Sequence, residues 1–541
     1  MPVEPRAMRR ASSPRVFPGD RGEQVGILLV ALALGLTTLA PLVAVGSEIR
    51  HAVVFELDYH DLLRLLGLAS TAGHLLVKST ILSAAVALGT LLIGVPLAVL
   101  LARSDLAGRR LLLLAHLFPL FLPPFLLALG WFDLLVAGGG GGFALARHIL
   151  FSPVGLVLVL ALAFTPVVTA VTVLALDGID PSIEEAARIV ARPGRVATRI
   201  LIPLARPAIA LGALIVFSLA VSELGTSMFL RVETYPTVLL ARLGAIDYAP
   251  GEALRLAVPL LVLALGLLGA ERALARRVSV PSLGPNLAVR PTLPLGRWRA
   301  PLSLLTAIVV AASLLPILGL ALVAARGAPS ELAGWLGGSL GNSIRSAVIA
   351  STMVLALAVV LGHALARARP HARVLDGLGV LGFVTPGALL GVGLITLWNR
   401  AATHFVYASA AIIVLGYTAR YAAIGVRSMA ISVAQSPPAL EDAAAVSGAS
   451  FWRRLRRIVV PLHIRGALTA WLLTFVFCLR DTDTSVLFYP PGGEPLTVRI
   501  LTLEANGPPE VVAGLALVQI GVTAAVLLSG VTLARLLPGW R

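Results

Sequence analysis

The chain has 541 residues, 58% of them hydrophobic and only 13% charged, with a formal charge of +16 and a mean hydropathy of +0.93. A soluble domain carries about 25% charged residues and a disordered chain is poor in apolar ones, so an ordinary soluble enzyme and a disordered chain are both excluded. Long unbroken apolar runs in place of alternating ten-residue strands exclude an outer-membrane barrel.

A bilayer-spanning helix needs about 20 apolar residues. Runs of that kind lie at 25–46, 75–101, 111–136, 152–176, 207–230 and 252–271, then at 301–325, 344–366, 377–398, 406–426, 466–487 and 511–534. The expectation is an all-α polytopic membrane protein with about twelve transmembrane helices in two parallel six-helix repeats. Residues 1–24 form an N-terminal tail, 25–272 the first transmembrane domain, 273–300 a Pro- and Arg-containing linker, and 301–541 the second domain. The first run lacks a small-residue cleavage site followed by soluble sequence, so it reads as a span and not as a signal peptide. Most of the 43 Lys+Arg flank the spans on one side, including Arg6, Arg9, Arg10, Arg15 and Arg21 in the tail and Arg272, Arg276, Arg277, Arg290, Arg297 and Arg299 at mid-chain. By the positive-inside rule both termini and the linker are cytoplasmic. The same distribution accounts for the basic balance without a nucleic-acid partner, because no separate basic domain exists to grip a phosphate backbone.

Motifs recur in order between the halves. LAR at 101–103 returns at 365–367, PFLLALG at 124–130 resembles PGALLGVG at 386–393, and EEAA at 184–187 returns as EDAA at 441–444. TS at 226–227 recurs at 484–485, and PTVLLARL at 236–243 resembles LTVRILTL at 496–503. Six spans per repeat keep both halves the same way up, so the pseudo-two-fold axis runs along the membrane normal, with a path expected between the halves. Pro119, Pro123, Pro124 and Pro386 are expected to bend their spans, which neighbouring helices can accommodate.

The most informative segment is the loop between the fourth and fifth spans of each half. Residues 437–462, PPALEDAAAVSGASFWRRLRRIVVPL, read as a short helix of small residues opened by acid, a glycine break at Gly448, and a basic amphipathic helix re-entering the membrane at Pro461. Acid at a helix N-terminus is electrostatically favoured, and small residues let a partner approach closely. The plain alternative is a surface helix anchored by Arg453, Arg454, Arg456 and Arg457; two copies at the same place argue against it.

These residues resemble the EAA loop of binding-protein-dependent ABC importer permeases, E-A-A-x3-G-x9-I-x-L-P. The second copy matches with Glu441, Asp442, Ala443, Ala444, Gly448, Ile458 and Pro461, Asp442 standing for Glu and Val460 for Leu. The first supplies Glu184, Glu185, Ala186, Ala187, Ile200 and Pro203, but Ala191 stands where Gly is expected, Gly194 follows three residues later, and the spacing to the proline is one residue short. The resemblance covers residues 60–272 and 335–536 and implies the type I importer permease fold, with both loops acting as coupling helices that dock into an ATP-binding subunit.

That subunit must be a separate chain. A phosphate loop needs Gly-Lys-Ser/Thr, and the only lysine, Lys78, follows Val77 within a span. The chain is therefore expected to be no enzyme and to carry no cofactor, with ATP and Mg held by two copies of a partner ATPase, one per loop, and substrate delivered by a soluble binding protein. Two fused permease halves resemble the ferric-iron group most, with thiamine, 2-aminoethylphosphonate and polyamine permeases as alternatives. YTARYAAIGVRS at 417–428 and SVLFYPPGGEPLTVRI at 485–500 carry the iron resemblance. Glu223 in span five and Asp481 in span eleven occupy equivalent positions of the repeat, with Arg480 and Asp483 beside the latter and Arg420 in a neighbouring span, and Glu223, Asp481, Asp483 and Arg420 are candidates to line a translocation path. Ionisable groups there face a bundle interior or a water-filled cavity. Hard oxygen ligands would suit a cation; internal pairing with Arg480 or Arg420 is the structural alternative. His51, Glu56, Asp58, His60 and Asp61 gather after the first span, where partner docking outweighs metal capture. Cys478 is the only cysteine, which excludes an internal disulfide or a Cys metal site. An ion-coupled secondary transporter is the competing class, but it has no ATPase for two EAA loops to meet.

Overall fold

A computed structural model describes residues 21–54, 71–135, 144–243, 250–277 and 292–536. The expected tail up to residue 20, the Glu56–Asp61 stretch and linker residues 278–291 lie outside them. Among the described residues the fold is all-α, without a strand.

The principal helices of the first half are α1 (Arg21–Ser47), α2 (Gly73–Arg103), α3 (Arg109–Phe121 with Pro124–Leu135), α4 (Pro153–Asp177), α5 (Pro181–Val190), α6 (Pro193–Ser222), α7 (Tyr235–Leu243) and α8 (Ala257–Ala275). The second half repeats them: α9 (Gly296–Ala324), α10 (Ser339–Ala366), α11 (Ala372–Val384 with Gly387–Trp398), α12 (Ala411–Ala434), α13 (Ala439–Val446), α14 (Phe451–Leu462 with Ile464–Arg480), α15 (Leu496–Glu504) and α16 (Pro509–Leu536).

Eight of the described helices are long and apolar enough to cross a membrane, or eleven if each of three bent pairs is one span. Each of the twelve expected runs therefore contains a helix, but those at 207–230 and 466–487 stop at Ser222 and Arg480, and two further departures stand out. The third span of each half is broken, by 104° in α3 and 107° in α11, at Pro123–Pro124 and Pro386, and α14 bends by 82° just beyond Pro461. Proline removes a backbone donor and clashes with the preceding turn. The other departure is α12, which stands outside the apolar set because it carries Arg420 and Arg427. It is surrounded by protein, so its polar groups meet partners instead of lipid: Tyr417, Thr418, Arg420 and Tyr421 are all buried.

The two halves are built alike. In each, the second span packs along the fourth and fifth, α2 with α4 and α6, α10 with α12 and α14. Ser79 Oγ accepts the first amide of α7, Tyr235 N, at 2.8 Å, and Ser343 Oγ accepts the first amide of α15, Leu496 N, at 2.7 Å. The first spans are exchanged: α1 crosses to α10 and α11, and α9 crosses to α3. The glycines that close the third-span motifs mark the crossings. A Cβ on Gly130 would collide with the Pro316 carbonyl of α9, and one on Gly393 would meet the Pro41 carbonyl of α1 at 2.7 Å. Small residues let membrane helices approach closely, and here they let each half clasp the other.

Candidate functional site

Both EAA loops fold as a short helix, a turn and a helical arm returning into the bundle. In the first, the Asp180 carboxylate accepts Ser182 N at 2.9 Å and Pro181 opens α5, an N-cap followed by the residue best suited to the first turn. Glu184 is buried beneath α5, its Oε2 3.6 Å from Arg103 Nε at the end of α2. Arg103 also donates to the Leu176 carbonyl and lies 3.9 Å from Asp177. Burial pushes the Glu184 carboxyl above the usual range, with Arg103 opposing. Glu185 and Ala186 face outward and Ala187 faces inward. The helix ends with Ala191 in extended backbone, φ −135° and ψ 147°. No left-handed residue is used there, so an alanine suffices, and Gly194 stands in open space two residues further on from Arg192.

The second loop has the same anchor, drawn tighter. Arg367, equivalent to Arg103 in the LAR repeat, reaches Glu441 Oε1 with Nη2 at 2.6 Å and Nε at 3.1 Å, and His363 Nε2 lies 2.5 Å from Oε2. Burial pushes the Glu441 carboxyl up, but His363 and Arg367 outweigh it and hold it down at about 2. Helix α13 ends at Gly448 with φ +79°. Ala449 N bonds back to the Ala444 carbonyl and Gly448 N to that of Ala445, both at 3.0 Å, a Schellman closure that requires a left-handed residue. The two loops therefore differ at this position because their turns differ. Asp442 and Ala443 are exposed and Ala444 is half-buried, so the acid that ties the helix down is Glu441, one residue before the motif's own. Outward apolar residues complete both faces: Ile183, Ile189 and Val190 on the first, Leu440 and Val446 on the second. Each return arm passes through a π-type turn, Ala197–Leu201 and Leu455–Val459, shortly before Pro203 and Pro461.

A second constellation lies where α3 and α11 break and α6 and α14 end. Glu223 and Asp481 end α6 and α14 in the same way. Glu223 Oε1 accepts Thr226 N at 3.0 Å and Thr226 Oγ1 at 2.8 Å; Asp481 accepts Thr484 N and Thr484 Oγ1, each at 3.0 Å. Ser227 and Ser485 hydroxyls donate to the carbonyls of the same two acids at 3.1 Å. The recurring TS pair is thus the cap of a helix break. The halves then diverge. Arg420 lies 3.5 Å from Asp481 and 3.4 Å from Asp483, Tyr421 Oη donates to Asp481 at 2.5 Å, and Asp483 accepts Leu224 N at 3.0 Å across the two halves. Arg480 donates to the Leu120 carbonyl, freed by the break in α3. Glu223, Arg420, Arg480, Asp481 and Asp483 line one cavity of about 20 Å3, room for about one water molecule.

The pairing expected as the structural alternative is present, and the paired residues also line this small cavity. Sequence reasoning missed the partners Arg103, Arg367, His363, Tyr421, Thr226 and Thr484. The LAR and TS repeats carried the signal: they registered as repetition, while their chemistry depends on which acids they meet.

Residues 354–538 match the family model described as binding-protein-dependent transport system inner membrane component. A putative 2-aminoethylphosphonate transport system permease protein of Salmonella paratyphi A is 30% identical over 147 residues, covering 27% of this chain and 50% of its own. A probable molybdenum ABC transporter permease protein of Haloferax volcanii is 34% identical over 149 residues, covering 27% and 54%. The chain spans about half the length of the curated relatives it matches.

Proposed function

Because residues 354–538 match the inner membrane components of binding-protein-dependent transport systems, we propose that the chain is a member of that family and that the whole molecule is the permease of an ATP-driven importer. The observation that carries this reading is the duplicated anchor, Arg103 with Glu184 and Arg367 with Glu441, which presents two similar helices at one end of the bundle. Each helix would receive one copy of an ATPase that binds ATP and Mg, and a soluble binding protein would deliver substrate at the opposite end. The EAA loops and both termini would lie in the cytoplasm, with Gly492 outside, in the cytoplasmic (inner) membrane. The divisions at residues 24, 272 and 300 would separate tail, first domain, linker and second domain, each first span being lent to the other half.

For the substrate, the sequence resemblance points to ferric iron and the relatives' names to 2-aminoethylphosphonate and molybdenum. The relatives' names make the phosphonate the reading to test first; Arg420 and Arg480 stand in the cavity but are themselves engaged, by Asp481 and Asp483 and by the Leu120 carbonyl. The carboxylates that an iron path would use are committed to threonine, tyrosine and arginine donors. The test is reconstitution with a candidate binding protein and ATPase from the same organism. ATP-dependent uptake of labelled 2-aminoethylphosphonate, unaffected by ferric iron, supports the oxyanion reading; iron uptake reverses it; uptake driven by an ion gradient without ATP overturns the class. Native mass should show one permease with two ATPases, and a stable 2:2 assembly would sink that stoichiometry.

A further inference from the structure

The end of the linker is stitched to the chain leaving α2, beside the first EAA loop. Leu293 pairs with Ser104 in an isolated parallel bridge: Leu293 N donates to the Arg103 carbonyl at 2.6 Å, and Asp105 N donates to the Leu293 carbonyl at 3.3 Å. Leu295 N donates to Asp105 Oδ1 at 3.1 Å. The Leu293 side chain is 4% exposed and packs with Leu176, Ala187, Val196 and Leu201, which are the end of α4, the underside of α5 and its return arm. The linker therefore grips the backbone of the residue whose guanidinium faces Glu184, and fills the space under the EAA helix. Three residues later it becomes α9.

The second half shows the counterpart with other chemistry. Arg369 stands two residues after Arg367 as Asp105 stands two after Arg103. It holds Glu23 at the start of α1, Nε 2.6 Å from Oε1 and Nη2 donating to Oε2 at 3.1 Å. Gly26 of α1 faces Val360 and the Trp452 ring, and Val30 and Leu34 pack with Phe451, Leu455 and Val459 of the second return arm. In both halves, the chain entering one half's first span is fastened at the same place beside the other half's EAA loop.

We propose that these two fastenings, Leu293–Asp105 and Glu23–Arg369, are positioning elements for coupling, an inference that rests on the importer reading. Each EAA loop then moves with a span of the opposite half, so that displacement of either loop reaches both halves at once. The first loop depends on the linker more, because its ion pair is longer and its turn lacks the glycine closure.

The test uses the full chain with its ATPase and binding protein in proteoliposomes and measures uptake per ATP hydrolysed. Leu293→Asp and Arg369→Glu should each lower that ratio about fivefold or more, the lower end of typical coupling between sites, with ATPase binding retained. Glu23→Arg combined with Arg369→Glu should recover most of the second loss. In a Cys478→Ala background, Ser104→Cys with Leu293→Cys should crosslink on oxidation and leave coupled uptake in place, compared within one preparation before and after oxidation. An unchanged ratio in both single variants, a loss that the charge swap fails to restore, no crosslink, or arrest on crosslinking would each overturn the proposal. Absence of ATP-dependent uptake by the unaltered chain would instead strike the importer reading itself.

Discussion

Arg367 and Glu441 are 74 residues apart and meet through two charge-assisted hydrogen bonds, at 2.6 and 3.1 Å. Their equivalents, Arg103 and Glu184, repeat the contact at 3.6 Å. Bonds to charged groups contribute about 1.5–3 kcal/mol, so Arg367→Ala should free α13 from the bundle by about that amount. Hydrogen exchange of residues 439–446 should accelerate while that of 181–190 is unchanged, and uptake should fall. Arg103→Ala should do the reverse, with a smaller change in exchange.

Gly448 and Ala191 answer differently to substitution. Gly448→Val forces a β-branched residue to φ +79°, where an L-residue is penalised by about 1–2 kcal/mol. It should unwind the end of α13 and reduce uptake and ATPase affinity. Ala191→Gly should change little, because an extended backbone suits either residue. Normal uptake and ATPase pull-down in a combined Gly448→Val, Asp442→Arg variant would remove the coupling role from this loop.

The two anchoring acids give the loops opposite responses to acid. Glu441 is held at about 2 against an ordinary 4.5, so its contribution is complete above the ordinary value and is lost as pH falls from there towards 2. Glu184 is raised by burial, so docking of α5 is strongest below the ordinary value and weakens as pH rises through the raised one. Lowering pH from 7.5 to 5 should therefore protect residues 181–190 from exchange, after correction for intrinsic rates, and leave 439–446 as they were. Equal changes in both peptides would contradict this.

Gly130 and Gly393 test the exchange of first spans. Gly130→Val or Gly393→Val places a side chain where a helix carbonyl of the other half already sits. Overpacking of this kind typically destabilises by about 1–3 kcal/mol. The thermal midpoint in detergent should fall for both, whereas valine at Gly266, which has open space around it, should leave it near the parent value.

Arg420→Gln should be the most damaging change in the polar cavity. It leaves Asp481 and Asp483 without their buried counter-charge, and breaking such a pair typically costs about 3–5 kcal/mol. On the importer reading, uptake should fall at least tenfold while ATPase pull-down is retained; preserved uptake would return Arg420 to a dispensable structural contact.

The all-α class, the approximate places of the spans, the duplicated order of motifs and the helix–turn–arm form of the loops at 181–203 and 437–462 were legible in the sequence alone. Their signals are local: about 20 apolar residues in a row, a small-residue helix opened by acid, a proline at a re-entry point. The broken third spans were half-legible, since Pro123, Pro124 and Pro386 mark the place but not a bend of more than 100°. What Glu184, Glu441, Glu223 and Asp481 do was decided by tertiary structure. Each acid takes its character from the donors brought to it, and the two repeats supply different ones: Arg367 with His363 at one loop and Arg103 at the other, and at the helix breaks a threonine in both, joined by Arg420 and Tyr421 at Asp481. The exchange of first spans is likewise absent from any single segment, because a glycine in a helix records only that something comes close. Which carbonyl comes close depends on how two halves of nearly the same design clasp each other.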